Sequence, residues 1–242
     1  EIQVHGLSFP RRHPAILFGD GGAAKSYTAL FIAAQLVERG MSVALFDWEL
    51  CGEDHRDRLE RLCGEVMPKI LYCRCERALV HESDRLRRVV RDNHIAYAIF
   101  DSVAFACDGP PESAEIAGKY FRAVRELPCG SLHIAHINKS EESDQKPFGS
   151  AFWFIGARSI WYVKAGEPEL DGTLRLGFFN RKSNLGPLQR PASYKITFGS
   201  DRTEFVRAEA ADDPDLVLKM SIRQRMFVLL RRGSLSIEQI AA

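Results

Sequence analysis

Residues 15–26 read Ala15-Ile16-Leu17-Phe18-Gly19-Asp20-Gly21-Gly22-Ala23-Ala24-Lys25-Ser26. Four consecutive apolar residues suit a short strand buried on both faces. A glycine-rich stretch follows at once. From Lys25 to Arg39 apolar residues then recur at helical spacing (Leu30, Ala33, Ala34, Val37) until Gly40 supplies a stop. Residues 19–26 match G-x-x-x-x-G-K-[ST] at every fixed position but the sixth, where Ala24 stands in for glycine. The pattern has a chemical reason. Backbone amides must curl around phosphate oxygens, a lysine must reach the terminal phosphates, a hydroxyl must meet Mg²⁺, and a helix must point its positive end at the anion. Gly19, Gly21, Gly22, Ala23, Ala24, Lys25, Ser26 and Tyr27 are therefore expected to bind Mg-ATP, with the Ser26 hydroxyl on the metal.

Outward from this loop, strands are expected over residues 42–48, 69–75, 95–101 and 131–137, with helices over 53–62, 84–92 and 114–127. Such alternation with short connections specifies an α/β fold, a parallel sheet covered on both faces. After Asn138 the character changes: 139–148 is polar. Segments 159–164, 173–180 and 194–206 read as antiparallel strands, and Asp171-Gly172 suits a hairpin turn between the first two. Residues 1–207 form the expected main domain, and 208–219, with Pro214, a linker. Residues 220–242 read as a helical fragment resembling the opening of a winged helix, since two helices cannot enclose a core.

Three further residues are placed by topology. Ala98-Ile99-Phe100-Asp101 is an apolar strand ending in a carboxylate, the form that holds Mg²⁺ through water near a phosphate loop. Ser102 follows, so a water-activating base is sought elsewhere. Glu49, in Phe46-Asp47-Trp48-Glu49, ends the next strand along and projects beyond the carboxyl ends of the sheet, where open α/β sheets bind ligands. His136, ending the last parallel strand, is able to donate to a γ-phosphate in either tautomer, while His133 reads as structural.

Bulk properties narrow little. Lys and Arg number 33 against 32 Asp and Glu, net +1, so a nucleic-acid partner is not advertised by charge. The helix carrying Arg85, Arg87, Arg88 and Arg91 reads as a solvated face. The apolar stretch 96–107 is too short to span a membrane. Six cysteines are expected as reduced, buried thiols of a cytoplasmic protein. Only Cys73 and Cys75 are close, and they are expected to alternate faces of a strand rather than form a zinc knuckle.

These elements together resemble the RecA/DnaB superfamily, most nearly the plasmid RepA-type replicative helicases and related phage proteins. The resemblance spans residues 18–206 and rests on G-D-G-G-A-A-K-S, D-W-E, A-I-F-D-S, H-I-N-K, the run 148–159, and Phe179-Asn180-Arg181-Lys182-Ser183-Asn184-Leu185-Gly186-Pro187. It implies a RecA-like P-loop NTPase core with an antiparallel C-terminal extension, and an ATP- and Mg²⁺-dependent motor working as a hexameric ring on single-stranded DNA. It makes Lys182 and Arg181 a basic finger that completes a neighbour's site in trans. Loop 138–148, with Lys139 and Lys146, would face the DNA. Ala24 and Asn184 depart from the family pattern. An ATPase switch of recombinase or KaiC-like type, and a slow nucleotide-binding regulator, are the alternatives.

Overall fold

A computed structural model describes residues 1–136, 147, 151–208, 222–231, 233, 234 and 236. The chain opens with an antiparallel hairpin, β1 (Ile2–Val4) and β2 (Leu7–Phe9), turned at His5-Gly6 with both residues at positive φ. No expectation covered it, because a three-residue strand offers too few alternations to read as a period.

The core follows in βα order: β3 (Pro14–Gly19), α1 (Lys25–Glu38), β4 (Val43–Asp47), α2 (Gly52–Cys63), β5 (Ile70–Arg74), α3 (Leu79–Asp92), β6 (Tyr97–Asp101), a short α4 (Val103–Ala106), α5 (Ala114–Arg125) and β7 (Gly130–His136). Then come α6 (Ala151–Gly156), β8 (Ser159–Ala165), β9 (Thr173–Ser183), β10 (Ala192–Phe198), β11 (Thr203–Ala208) and α7 (Ile222–Arg231).

Among the described residues nine strands form one sheet, ordered β11-β10-β9-β8-β3-β7-β6-β4-β5. β3 to β8 run parallel, and β9 to β11 extend the sheet antiparallel. The chain moves outward from β3 to β4 and β5, then returns to insert β6 and β7. The phosphate loop thus leaves a central strand. Residue alternation divides the core into two layers. Ile16, Phe18, Phe46 and Phe100 pack with Leu86 of α3, Phe121 of α5 and Trp153 of α6. Leu17, Leu45 and Ile99 pack with Leu30 and Leu36 of α1, Leu59 of α2, and the β1–β2 hairpin.

Four expectations are corrected. Segment 159–164 does not open the antiparallel set: β8 pairs parallel with β3, and the antiparallel strands begin at β9. The segment 194–206 is two strands, because Gly199, at a position where a Cβ would come 2.9 Å from the Arg202 carbonyl, helps turn the chain between β10 and β11. The basic helix begins earlier, at Leu79, while its charge is balanced locally as a solvated face would be: Arg85 pairs with Glu82, Arg87 with Asp84 and Arg91 with Asp92. The six cysteines are free but not buried as a set; Cys75 is buried and Cys51 is exposed. The Asp171-Gly172 turn joins β8 to β9 as expected, with Gly172 at φ 81° and Thr173 N–H donating to Asp171 Oδ1. The linker 208–219 and the end of the expected helical fragment, residues 232–242, lie largely outside the described residues.

Candidate functional site

A phosphate loop presents backbone amides, and this one takes its shape from two left-handed residues. Gly22 has φ 77°, and Ala24, the N-cap of α1, has φ 49° and ψ 31°. Glycine reaches that region freely, whereas alanine incurs about 1–2 kcal/mol. Ala24 therefore keeps the backbone of the glycine it replaces. Its carbonyl accepts from the N–H and the hydroxyl of Thr28, each at 2.9 Å, which ties the loop to the first turn of the helix. Gly19 is needed for another reason: a Cβ there would lie 2.3 Å from the Val163 carbonyl oxygen of neighbouring β8. Gly21 faces open space.

Lys25 is buried, and its ammonium donates to the carbonyls of Gly19 (3.0 Å) and Asp20 (2.6 Å). Desolvation lowers its pKa to about 8, against the opposing charges of Asp101, Glu49 and Asp20. Asp101 ends β6 and is 2% exposed. Burial raises its pKa to about 6; the Ser26 hydroxyl works against that rise and the charge of Glu49 adds to it. Its Oδ1 has no hydrogen-bond partner among the described residues. A buried carboxylate with one oxygen unsatisfied, beside a hydroxyl at a helix start, fits Mg²⁺, which keeps most of its waters and needs few protein oxygens.

Glu49 sits exposed on the turn after β4, and that turn is organised by a residue the sequence reading passed over. Asp47 is fully buried. Its Oδ1 accepts from the N–H groups of Glu49 (2.9 Å) and Leu50 (3.0 Å), and its Oδ2 from the Tyr72 hydroxyl (3.0 Å). The Arg74 guanidinium and the His55 ring each stand 3.4 Å from Oδ2, and Arg74 also donates to the Leu50 carbonyl. Burial alone would raise the Asp47 pKa; the His55 ring and the two turn amides outweigh it and hold it at about 2. Asp47 is thus a fixed anion around which the Glu49 turn is wrapped.

His136, half-buried at the end of β7, has its pKa lowered by burial, with Lys25 adding to the effect and Glu49 opposing it, so it is neutral near pH 7. His133 is a core residue between the Tyr120 hydroxyl and the Ser131 hydroxyl, each at 2.8 Å, and burial lowers its pKa to about 3.

A cleft of about 290 Å³ gathers Gly22, Ala23, Ala24, Lys25, Ser26 and Tyr27 with Glu49, Asp101 and His136. Arg58 and Phe198 line it too and were missed. The Arg58 guanidinium stands 5.0 Å over the Tyr27 ring, and Phe198 meets Tyr27 edge-on at 5.1 Å. Nothing local to residues 58 or 198 signals this; three distant segments must first be folded together. A larger cleft, about 530 Å³, lies at the opposite ends of the strands by Arg11, Arg12 and Gly130, and holds none of the candidate residues.

Arg181 and Lys182 stand apart from the cleft. β9 runs antiparallel to β8, so Lys182 pairs with Ile160, whereas Gly19 pairs with Val163. Lys182 donates to the carbonyls of Phe154, Ala157 (2.8 Å) and Ile155 (3.5 Å), closing the end of α6. Burial lowers its pKa, and Arg158 adds to the effect. The Arg181 guanidinium lies over the rings of Tyr162 (5.5 Å) and Phe179 (5.3 Å). Lys139 and Lys146 fall outside the described residues. No described helix is long and apolar enough to cross a membrane.

No family model matches the chain, and no curated protein matches it. Solved structures do. The ATPase domain of G40P superposes with a TM-score of 0.64 at 14% identity, over 83% of this chain and 86% of that one. A KaiC-like protein from the hyperthermophilic archaeon Pyrococcus horikoshii gives 0.61 at 15%, over 81% and 90%. Identities this low speak for the fold. With its loop on a central strand of a mainly parallel sheet and three antiparallel strands beyond β8, this chain has the RecA-like fold of the P-loop NTPases.

Proposed function

We propose that this chain is a Mg²⁺-dependent ATPase that works as a ring-forming DNA motor, a replicative helicase of a plasmid, phage or other mobile element. The observation that carries the ATPase reading is the convergence of Lys25, Asp101, Glu49 and His136 on one cleft at the phosphate loop. Lys25 exchanges the two loop carbonyls for β- and γ-phosphate oxygens, and the loop amides with the α1 N-terminus hold the remaining charge. Ser26 and Asp101 hold Mg²⁺, which when bound neutralises charge on the phosphate oxygens. Glu49 takes the proton of the attacking water, held in place by Asp47. Neutral His136 donates to the γ-phosphate and passes its state to the chain that follows β7.

The motor reading is supported by the resemblance over residues 18–206 and by the position of Arg181 and Lys182. They stand apart from their own cleft: two to three strand residues below Gly19 is about 7–10 Å along the sheet, and β9 lies two strands, about 9–10 Å, across from β3. A neighbouring copy is the site they would complete, once assembly draws Lys182 from its α6 carbonyls. The KaiC-like neighbour favours a second reading, an ATPase switch that assembles without unwinding. Native sizing with ATP, together with ATP-driven displacement of a labelled strand, separates the two. A ring that displaces the strand supports the motor; a ring that hydrolyses ATP on DNA without displacement supports the switch.

A further inference from the structure

The end of β5 carries two thiols that the cleft does not use. Residues two apart on an extended strand share a face, so Cys73 and Cys75 do not alternate as expected but point the same way. One guanidinium holds both: Arg85 Nη1 donates to Cys73 Sγ at 3.1 Å and Nη2 approaches Cys75 Sγ at 3.5 Å, while Nε is anchored on the buried Glu82 carboxylate at 2.5 Å. Cys73 is partly exposed, whereas Cys75 is 1% exposed. The Cys75 thiol, together with Arg85, draws the Cys73 pKa down to about 6. The same contact and burial push Cys75 well up. An accessible thiolate beside a sheltered, protonated thiol is the arrangement in which one sulfur meets an oxidant and the other resolves it.

We propose that Cys73 and Cys75 form a peroxide-responsive dithiol on the strand that braces the Glu49 turn. The Cys73 thiolate attacks one oxygen of hydrogen peroxide; the O–O bond breaks, leaving Cys73 sulfenic acid and hydroxide. The Cys75 sulfur then attacks the Cys73 sulfur, the S–O bond breaks, and the departing hydroxide takes the Cys75 proton as water. The two sulfurs lose two electrons to the peroxide. Closure has a mechanical consequence. Two residues of strand span about 6.6 Å, whereas a disulfide favours a Cα separation of about 5.5–6 Å. Closure therefore draws Arg74 out of extension. Arg74 and the Cys75 N–H, which donates to the Asp47 carbonyl at 2.8 Å, are two of the ties on the Asp47 turn. The expected loss of hydrolysis rests on the role proposed for Glu49; the thiol chemistry does not.

Peroxide titration followed by non-reducing trypsin digestion tests the thiol chemistry alone. Cleavage after Lys69, Arg74 and Arg77 places the cysteines in separate peptides, 70–74 and 75–77. The disulfide holds the two together and reduction parts them. In Cys75→Ser, dimedone should label Cys73, and iodoacetamide alkylation of wild-type Cys73 should show a midpoint near pH 6. Arg85→Lys, which keeps the charge on Glu82, should leave the fold intact and raise that midpoint. Separate peptides after peroxide, or a Cys73 midpoint above 8, would overturn the proposal. ATP turnover is read on the same samples: wild type should lose at least half its rate on oxidation and recover with dithiothreitol, and Cys73→Ser should be indifferent. A closed disulfide with unchanged turnover would refute the coupling to Glu49 while leaving the dithiol in place.

Discussion

Burial raises the Asp101 carboxyl to about pH 6, and that rise is a stability statement as well as a chemical one. A carboxyl whose folded pKa lies above its unfolded value weakens the fold as pH climbs from about 4 to about 6, and the full cost, about 3 kcal/mol, persists above that window. Asp101→Asn should therefore raise the melting temperature of the ligand-free protein at pH 8 by several degrees, with the gain gone by pH 4. The same variant should lose Mg²⁺-stimulated hydrolysis. Calorimetry at the two pH values, beside a phosphate-release assay, checks both halves; an equal change at pH 4 and pH 8 would mean the carboxylate's burial is not the cause. Glu49→Gln should leave nucleotide affinity nearly intact and slow hydrolysis by ~10²-fold or more, the usual worth of a positioned base. Asp47→Asn should slow it too, by loosening the turn rather than removing the base, so in the same phosphate-release assay its rate should fall less than that of Glu49→Gln. Lys25, Ser26 and Asp101 were legible from the sequence because each lies in or ends a contiguous motif. Asp47 was not, since its partners are residues 49, 50, 55, 72 and 74, and only folding brings β4, β5 and α2 to one carboxylate.

At the scale of elements, α1 begins from a strained residue. Ala24 at φ 49° holds the left-handed geometry that glycine adopts without cost. Ala24→Gly should thus stabilise the protein by about 1 kcal/mol less the added entropy of the unfolded chain, a rise of about 2–4 °C at most in a chain this size. A fall in melting temperature on thermal unfolding would mean that the methyl group packs usefully, outweighing the strain. The sequence showed Ala24 as a departure from pattern but could not show its φ. The parallel strands were read nearly to their ends because they are continuous apolar runs bounded by glycine and charge. The β10–β11 boundary was missed although Gly199-Ser200-Asp201 is a turn signal and the inward positions change parity across it, from Tyr194 and Ile196 to Thr203 and Phe205. Lys182 shows a different limit. The resemblance makes it a finger, whereas within β9 its three carbonyl partners make it a cap on α6. The two roles are compatible only if assembly draws the ammonium away from those carbonyls.

For the whole molecule, the separation of the cleft from Arg181 and Lys182 turns oligomerisation into a condition for chemistry. If these residues complete a neighbour's site, activity per subunit should rise with protein concentration as copies associate. Arg181→Ala/Lys182→Ala should bind ATP normally and hydrolyse it poorly. Part of that loss has a bland explanation, because removing the α6 cap alone weakens the fold by about 0.3–1 kcal/mol. Mixing resolves it. A Lys25→Ala chain has an intact basic pair and no working loop; the Arg181→Ala/Lys182→Ala chain has the reverse. In a mixed interface, one ordering joins an intact loop to an intact pair, so turnover should return in part, and should peak near equal proportions. A pair that acted only as a cap could not be supplied by a neighbour, and a site completed within one chain would gain nothing from mixing. Turnover independent of concentration, with no recovery at any ratio, would remove the ring and leave a nucleotide-binding regulator that works as a single chain.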